Sequence, residues 1–140
     1  TKKKGQKIIL SHSKPWMSVY LDPKLLNHIL INLISNAIKY SNENQTIDIV
    51  IVGNTSDLII HVKDLGIGIP EEDQDKLFQR FFRAENASNL QGTGLGLHIV
   101  KQYTELMGGS INFKSKPGQG STFTLQLPLN IHENEKNTVN

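Results

Sequence analysis

Three stretches of this sequence carry residue types that chemistry uses. In the first, Asn32, Asn36 and Tyr40 recur at every fourth position, with Lys39 beside them. On a helix that spacing makes one stripe. An asparagine amide oxygen is a hard, neutral ligand that suits Mg²⁺, an ion that takes few protein ligands and fills its shell with water and phosphate oxygens. Lys39 would neutralise phosphate as a point charge. The plainer alternative is a solvated helix face. Asparagine is a poor helix-interior residue, and a solvated face more naturally carries Glu, Lys or Gln. Both readings stand at this point. The second stretch is Asp64-Leu65-Gly66-Ile67-Gly68-Ile69-Pro70. An ionised aspartate only accepts hydrogen bonds, so it can take one from the exocyclic amine of adenine. The adjacent glycines let backbone approach a flat ligand closely. Its plain alternative is an ordinary turn. The third, Gly92-Thr93-Gly94-Leu95-Gly96-Leu97, opens a helix and can present N–H groups and the positive dipole end to phosphate. It is neither a Walker A loop nor a G-x-G-x-x-G dinucleotide loop.

The elements that must position these residues follow from the pattern. Asp22-Pro23 is a helix start, with Asp at the N-cap and Pro where its missing N–H is harmless. The helix runs to Tyr40, with Leu25, Ile29, Leu33 and Ala37 as one apolar row and Leu26, Leu30, Ile34 and Ile38 as the next. Lys7–Leu10 reads as an edge strand and Met17–Tyr20 as a short extended piece. Ile47–Val52 and Leu58–Lys63 read as a hairpin around Gly53–Asp57. A short acidic-start helix follows Pro70 and ends near Gln79, and Ala84–Gln91 is polar and irregular. The helix after the glycine loop should turn Ile99, Val100, Tyr103, Leu106 and Met107 inward and stop at Gly108-Gly109. Strands Ser110–Lys114 and Ser121–Leu127 close the fold. The predicted class is α/β, a two-layer sandwich of a mixed, mostly antiparallel sheet with helices packed on one face. Residues 1–131 form one domain, and 132–140 form a polar, frayed tail.

Composition narrows the field. A chain of 140 residues fits one domain, and the absence of cysteine excludes disulfides, thiolate metal sites and cysteine catalysis. A net charge of +2 argues against nucleic acid as a partner. The 5 histidines are too scattered for a metal cluster, and no apolar run approaches the roughly 20 residues that span a bilayer. Beginning at Thr1 and not at methionine, the chain is expected to be an excised piece of a larger protein.

Taken together, the asparagine helix, the Asp-x-Gly-x-Gly turn, the Leu77–Arg83 segment LFQRFFR and the Gly-x-Gly-x-Gly loop resemble the ATP-binding catalytic domain of sensor histidine kinases. The resemblance runs from about Trp16 to Pro128. It implies the Bergerat-type fold of the wider superfamily, shared with type II topoisomerases, the large heat-shock chaperone and mismatch-repair ATPases. His28–Ser41 looks like the N box, which makes Asn36 the Mg²⁺ ligand, sets Asn32 and Lys39 near the phosphates and puts Tyr40 by the nucleotide. DLGIGI looks like the first glycine box, with Asp64 on the adenine amine and Gly66, Gly68 and Ile69 around it. LFQRFFR looks like the phenylalanine box. GTGLGL looks like the second glycine box, assigning Gly92, Thr93, Gly94, Leu95, Gly96 and Leu97 to ATP. Gly118–Phe123 (GQGSTF) is similar to the family's late element, from which Thr122 is expected at the nucleotide. Ala84–Gln91 becomes the ATP lid, and Arg83 at its start is expected to touch phosphate or the partner domain. The pattern departs at Leu65, where a small polar residue is common, and at His28, where glutamine is common.

Hydrolysing members of that superfamily carry a glutamate one turn before the metal-binding asparagine. Here that position is Asn32, and a neutral amide cannot act as general base. Phosphoryl transfer to an acceptor with its own base needs chiefly positioning and charge neutralisation. The resemblance therefore implies a histidine kinase whose phosphoacceptor histidine lies in a separate dimerisation and phosphotransfer domain, with a response-regulator receiver domain downstream. It implies ATP and Mg²⁺ as cofactors, a monomeric isolated domain, and a cytoplasmic location without direct membrane contact, whether or not the parent is membrane-anchored. The rivals are a pseudokinase-like binding module and an anti-sigma-type serine kinase. His98 is expected to pack and not to accept phosphate. His61 should face away from the core, Phe78 should belong to it, and Phe81 or Phe82 should meet the lid or the missing domain.

Overall fold

The computed structural model describes residues 7–12, 22–41, 44–53, 56–79 and 96–129. The first strand, β1 (Lys7–His12), is followed by helix α1 (Pro23–Tyr40), and then by β2 (Thr46–Gly53) and β3 (Asp57–Asp64). A 3-10 helix, Glu71–Lys76, precedes helix α2 (Gly96–Leu106), and strands β4 (Ser110–Lys116) and β5 (Gly120–Pro128) end the described chain. Helix α1 starts as its sequence requires. The Asp22 carboxylate accepts the N–H groups of Lys24 and Leu25 at 3.0 and 3.2 Å, and Pro23 takes the first turn. Such a cap is worth about 1 kcal/mol.

The five strands form one sheet in the order β1-β2-β3-β5-β4. β1 pairs with β2 in parallel and every other pair is antiparallel. A parallel pair needs a long crossover, and α1 lies in the segment that connects the two strands. The hairpin read around Gly53–Asp57 is present, with Gly53 opposite Leu58.

Strand alternation sends one row of each strand to the core. Ile49, Val62, Phe123 and Phe113 lie side by side across four strands, and Ile51, Ile60, Leu125 and Ile111 form the next row. Ile29, Leu33 and Ala37 of α1 and Val100 of α2 complete the same buried cluster. Both helices therefore cover one face, as the sequence predicts. Phe78 is a core residue: its ring meets Phe113 and Phe123 edge-on at 5.8 and 6.4 Å. His61 is on the opposite face, where its Nδ1 lies 2.9 Å from Thr124 Oγ1.

Some expectations change. The helix after Pro70 is a 3-10 helix ending at Lys76, short of Gln79. Both C-terminal strands are longer than predicted. Leu106 does not turn inward: it is 72% exposed. Six residues beyond Val100 it has rotated about 120° away from the core, and Thr104 takes the buried position next to Val100. Met17–Tyr20, Arg80, Phe81, Phe82, Ala84–Gln91 and the 132–140 tail lie outside the described residues.

Candidate functional site

The site grows from the end of β3. Asp64 is 5% exposed, an unusual position for a carboxylate. Its Oδ1 accepts the Gly66 N–H at 2.9 Å, and the Ser121 N–H from the neighbouring strand also donates to the carboxylate. Burial pushes the Asp64 carboxyl above the usual value of 3.8, and these two backbone donors pull it partway back. The carboxylate is thus held by backbone donors.

Glycines let three segments close on this strand end. A methyl group on Gly66 would collide with the Tyr40 carbonyl oxygen at the end of α1. The Ile67 N–H donates to that same carbonyl at 3.1 Å, so the turn serves as the cap of α1. Gly68, at φ +72°, sits against Lys116, and the Gly118 N–H donates to the Ile67 carbonyl at 2.7 Å. The turn between β4 and β5 is fastened onto the aspartate turn in this way.

The asparagine stripe flanks this end of the site. Asn32 donates its amide to the His28 carbonyl at 2.8 Å, within its own helix. Its oxygen faces the first residue of α2, where a side chain on Gly96 would crowd it. Asn36 is half-buried, and no described residue hydrogen-bonds its side-chain amide. The Lys39 ammonium lies 5.9 Å from the Tyr40 ring centroid, within cation–π range. His28, where the family pattern departs, packs edge-on against Tyr103 of α2 at 5.6 Å. His98 has the packing role expected of it, half-buried with Nδ1 3.2 Å from the Phe78 carbonyl.

Direct contacts join Tyr40, Asp64 and Gly66, and separately Asn32 and Gly96; Gly68 packs on Lys116, and Asn36 and Lys39 lie on the same stretch of helix as Asn32 and Tyr40. The side chains of Ile69 and Leu97 belong to the hydrophobic core. Leu65 is exposed, at 46%. Arg83, Gly92, Thr93, Gly94 and Leu95 lie outside the described residues. Thr122 is a correction. It pairs with Lys63 and Lys114 on the opposite face of the sheet from Asp64. Alternation about the buried Phe123 puts Ser121 on the Asp64 face, and Ser121 is 7% exposed there. That alternation was readable in the sequence. Two further residues, Ser115 and Gln74, bind the turn from outside every recognised motif. Ser115 Oγ accepts the Ile69 N–H at 2.8 Å. Gln74 Nε2 donates to the carbonyls of Ile69 and Ser115 at 3.1 and 3.2 Å.

Among the described residues no three His, Cys, Asp or Glu side chains form a metal cluster, and no helix is long and apolar enough to cross a membrane. A lone amide oxygen fits a Mg²⁺ ion whose other ligands are phosphate and water.

The family described as "Histidine kinase-, DNA gyrase B-, and HSP90-like ATPase" matches residues 21–131. The circadian input-output histidine kinase CikA of Synechococcus elongatus is 47% identical over 109 residues, which is 76% of this chain and 14% of CikA. The chain thus spans about one-seventh of that relative. Among solved structures, the mycobacterial sensor histidine kinase MprB superposes with a TM-score of 0.80 at 26% identity, covering 91% of this chain and 87% of that one. Full-length ShkA in complex with AMPPNP gives 0.78 at 27% identity, covering 91% of this chain and 26% of that one.

Proposed function

The chain belongs to the histidine kinase-, DNA gyrase B- and HSP90-like ATPase family, as the catalytic ATPase domain of a histidine kinase, and from that premise we propose that it binds ATP with Mg²⁺ and presents the γ-phosphate to a histidine on another domain of its parent. The carrying observation is the buried Asp64 carboxylate, fixed by two backbone donors beside the asparagine stripe. The exocyclic amine of adenine is the donor that this acceptor fits. The complex of ShkA with AMPPNP is consistent with this reading.

The phosphates then extend along α1 toward the start of α2. Asn36 offers its amide oxygen to Mg²⁺, which when bound supplies charge neutralisation for the triphosphate. Lys39 adds a point charge and Tyr40 a wall. Asn32, beside Gly96, sets how closely α2 and its N–H groups approach the phosphates. With an amide at Asn32, nothing there removes a proton from water, so the γ-phosphate is kept for an acceptor that carries its own base. Arg83 and the segment Gly92–Leu95 are assigned to the phosphate end by their motifs. Residues 1–131 act as one domain, monomeric when isolated, on the cytoplasmic side where ATP is found. The acceptor histidine belongs to a dimerisation and phosphotransfer domain, and a response regulator receives the phosphate from it.

Calorimetric titration of the chain with a non-hydrolysable ATP analogue, with and without Mg²⁺, tests this reading. Saturable one-to-one binding that strengthens with Mg²⁺ is the expected result. A folded sample that binds nothing would leave the chain an interaction scaffold.

A further inference from the structure

We propose that Ser115 and Gln74 are positioning residues for the base end of the site, a clasp that holds the aspartate turn in register with the β4–β5 turn. The proposal rests on reading that end as the adenine pocket. Its basis is a hydrogen-bond relay that none of the recognised motifs contains. The Ser115 hydroxyl accepts the Ile69 N–H at 2.8 Å and lies 2.8 Å from Ser121 Oγ and 3.2 Å from the Gly120 carbonyl. Ser121 is the residue whose N–H donates to Asp64. Ser115 therefore touches both the far end of the aspartate turn and the strand that orients the carboxylate. Gln74 closes the relay from the 3-10 helix: one amide nitrogen serves the Ile69 carbonyl on the turn and the Ser115 carbonyl on β4.

These bonds are half-buried, so their loss takes a partner from the Ile69 N–H and from the carbonyls of Ile69, Ser115 and Gly120. The glycines of this region permit close approach but do not hold it. Backbone bonds hold the middle of the turn, at Ile67, to the Tyr40 carbonyl and to Gly118, but neither reaches its far end at Ile69. Ser115 and Gln74 supply the attachments there, and with them set where the Asp64 carboxylate faces. Neither residue reaches the phosphate end, so their effect should fall on base recognition.

The test titrates the 140-residue chain with a non-hydrolysable ATP analogue and, separately, with inorganic tripolyphosphate, both with Mg²⁺. Ser115→Ala and Gln74→Glu should each weaken the ATP analogue about tenfold, the scale of one or two lost hydrogen bonds, and leave tripolyphosphate unchanged. Ser115→Thr, which keeps the hydroxyl on a strand that tolerates β-branching, should restore the ATP affinity. Circular dichroism checks that each variant is folded. Equal weakening of both ligands would mean general loosening and would overturn the clasp. So would wild-type ATP affinity in Ser115→Ala and Gln74→Glu. A wild-type chain that binds no ATP analogue would instead overturn the nucleotide reading, and this proposal with it.

Discussion

At the base end of the site Asp64 is enclosed by backbone: the N–H groups of Gly66 and Ser121, the closely packed Gly120, and a turn fastened to both α1 and the β4–β5 turn. At the phosphate end, Asn32, Asn36 and Lys39 are side chains on one helix face, and Asn36 meets no described hydrogen-bond partner. The first end is assembled by long-range contacts and carries its geometry before any ligand arrives. The second is assembled by helical periodicity, and on the proposed reading its side chains meet phosphate and metal. Affinity for the base should therefore depend on the fold, and affinity for the phosphates on individual side chains.

The most severe test of that contrast is Asp64→Asn. It preserves shape and removes the charge proposed to accept the adenine amine, so ATP-analogue binding should fall about 100-fold, the scale of a lost charged hydrogen bond. Stability should move the other way. Asp64 titrates higher in the folded chain than in the unfolded one, so the folded state holds more protons between those values. Stability then falls as pH rises from 3.8 through the raised value. At neutral pH the ionised carboxylate costs stability, and the Asn variant should melt at the same temperature or higher. Wild-type ATP affinity should decline as the pH is lowered through that same raised value, and this decline should vanish in the variant. A variant that binds ATP normally would separate Asp64 from adenine.

Gly66→Ala should damage the fold first and binding as a consequence. The added methyl meets the Tyr40 carbonyl, backbone that cannot swing away. Overpacking of this kind costs about 1–3 kcal/mol, measurable as a lower midpoint in urea unfolding. An unchanged midpoint would mean that the seam between α1 and the turn is looser than its contacts imply.

Asn36→Ala should act at the other end only. It should remove the Mg²⁺-dependent part of ATP affinity, about tenfold, while adenosine, which has no phosphates, binds as before. Loss of adenosine binding would show that the two ends are not separable.

The same division governs what was legible in the sequence. Helix α1 could be read from Asp22-Pro23 and its two apolar rows, and the asparagine stripe came with it, because helical neighbours are close in sequence. The strands could be read from their apolar runs, and alternation put His61 on the outer face of β3. The buried aspartate turn was legible as a motif, but its attachments were not. Ser115 and Gln74 are separated by 41 residues, and nothing local marks a serine on a polar strand or a glutamine in an acidic helix as its partner. The parallel pairing of β1 was likewise hidden, since a short apolar run has no direction. Leu106 is misleading because its residue type suggests the core while its angular position on α2 turns it to solvent.

Thr122 and Ser121 offer the smallest effect and the sharpest view of that boundary. Both stand in the GQGSTF element, from which the resemblance points to Thr122. The sheet points to its neighbour: Phe123 is buried, so Ser121 shares its face and Thr122 the opposite one, between Lys63 and Lys114. Thr122→Ala should leave ATP-analogue affinity unchanged and cost less than about 1 kcal/mol in stability, as expected of a half-exposed strand position. Ser121→Ala keeps the backbone N–H that Asp64 uses and removes only the hydroxyl 2.8 Å from Ser115. It should weaken binding by roughly threefold to tenfold, the range of one neutral hydrogen bond. If the threonine variant lost affinity and the serine variant did not, the nucleotide would have to contact the outer face of the sheet, and the division between a backbone-built base end and a helix-borne phosphate end would fail.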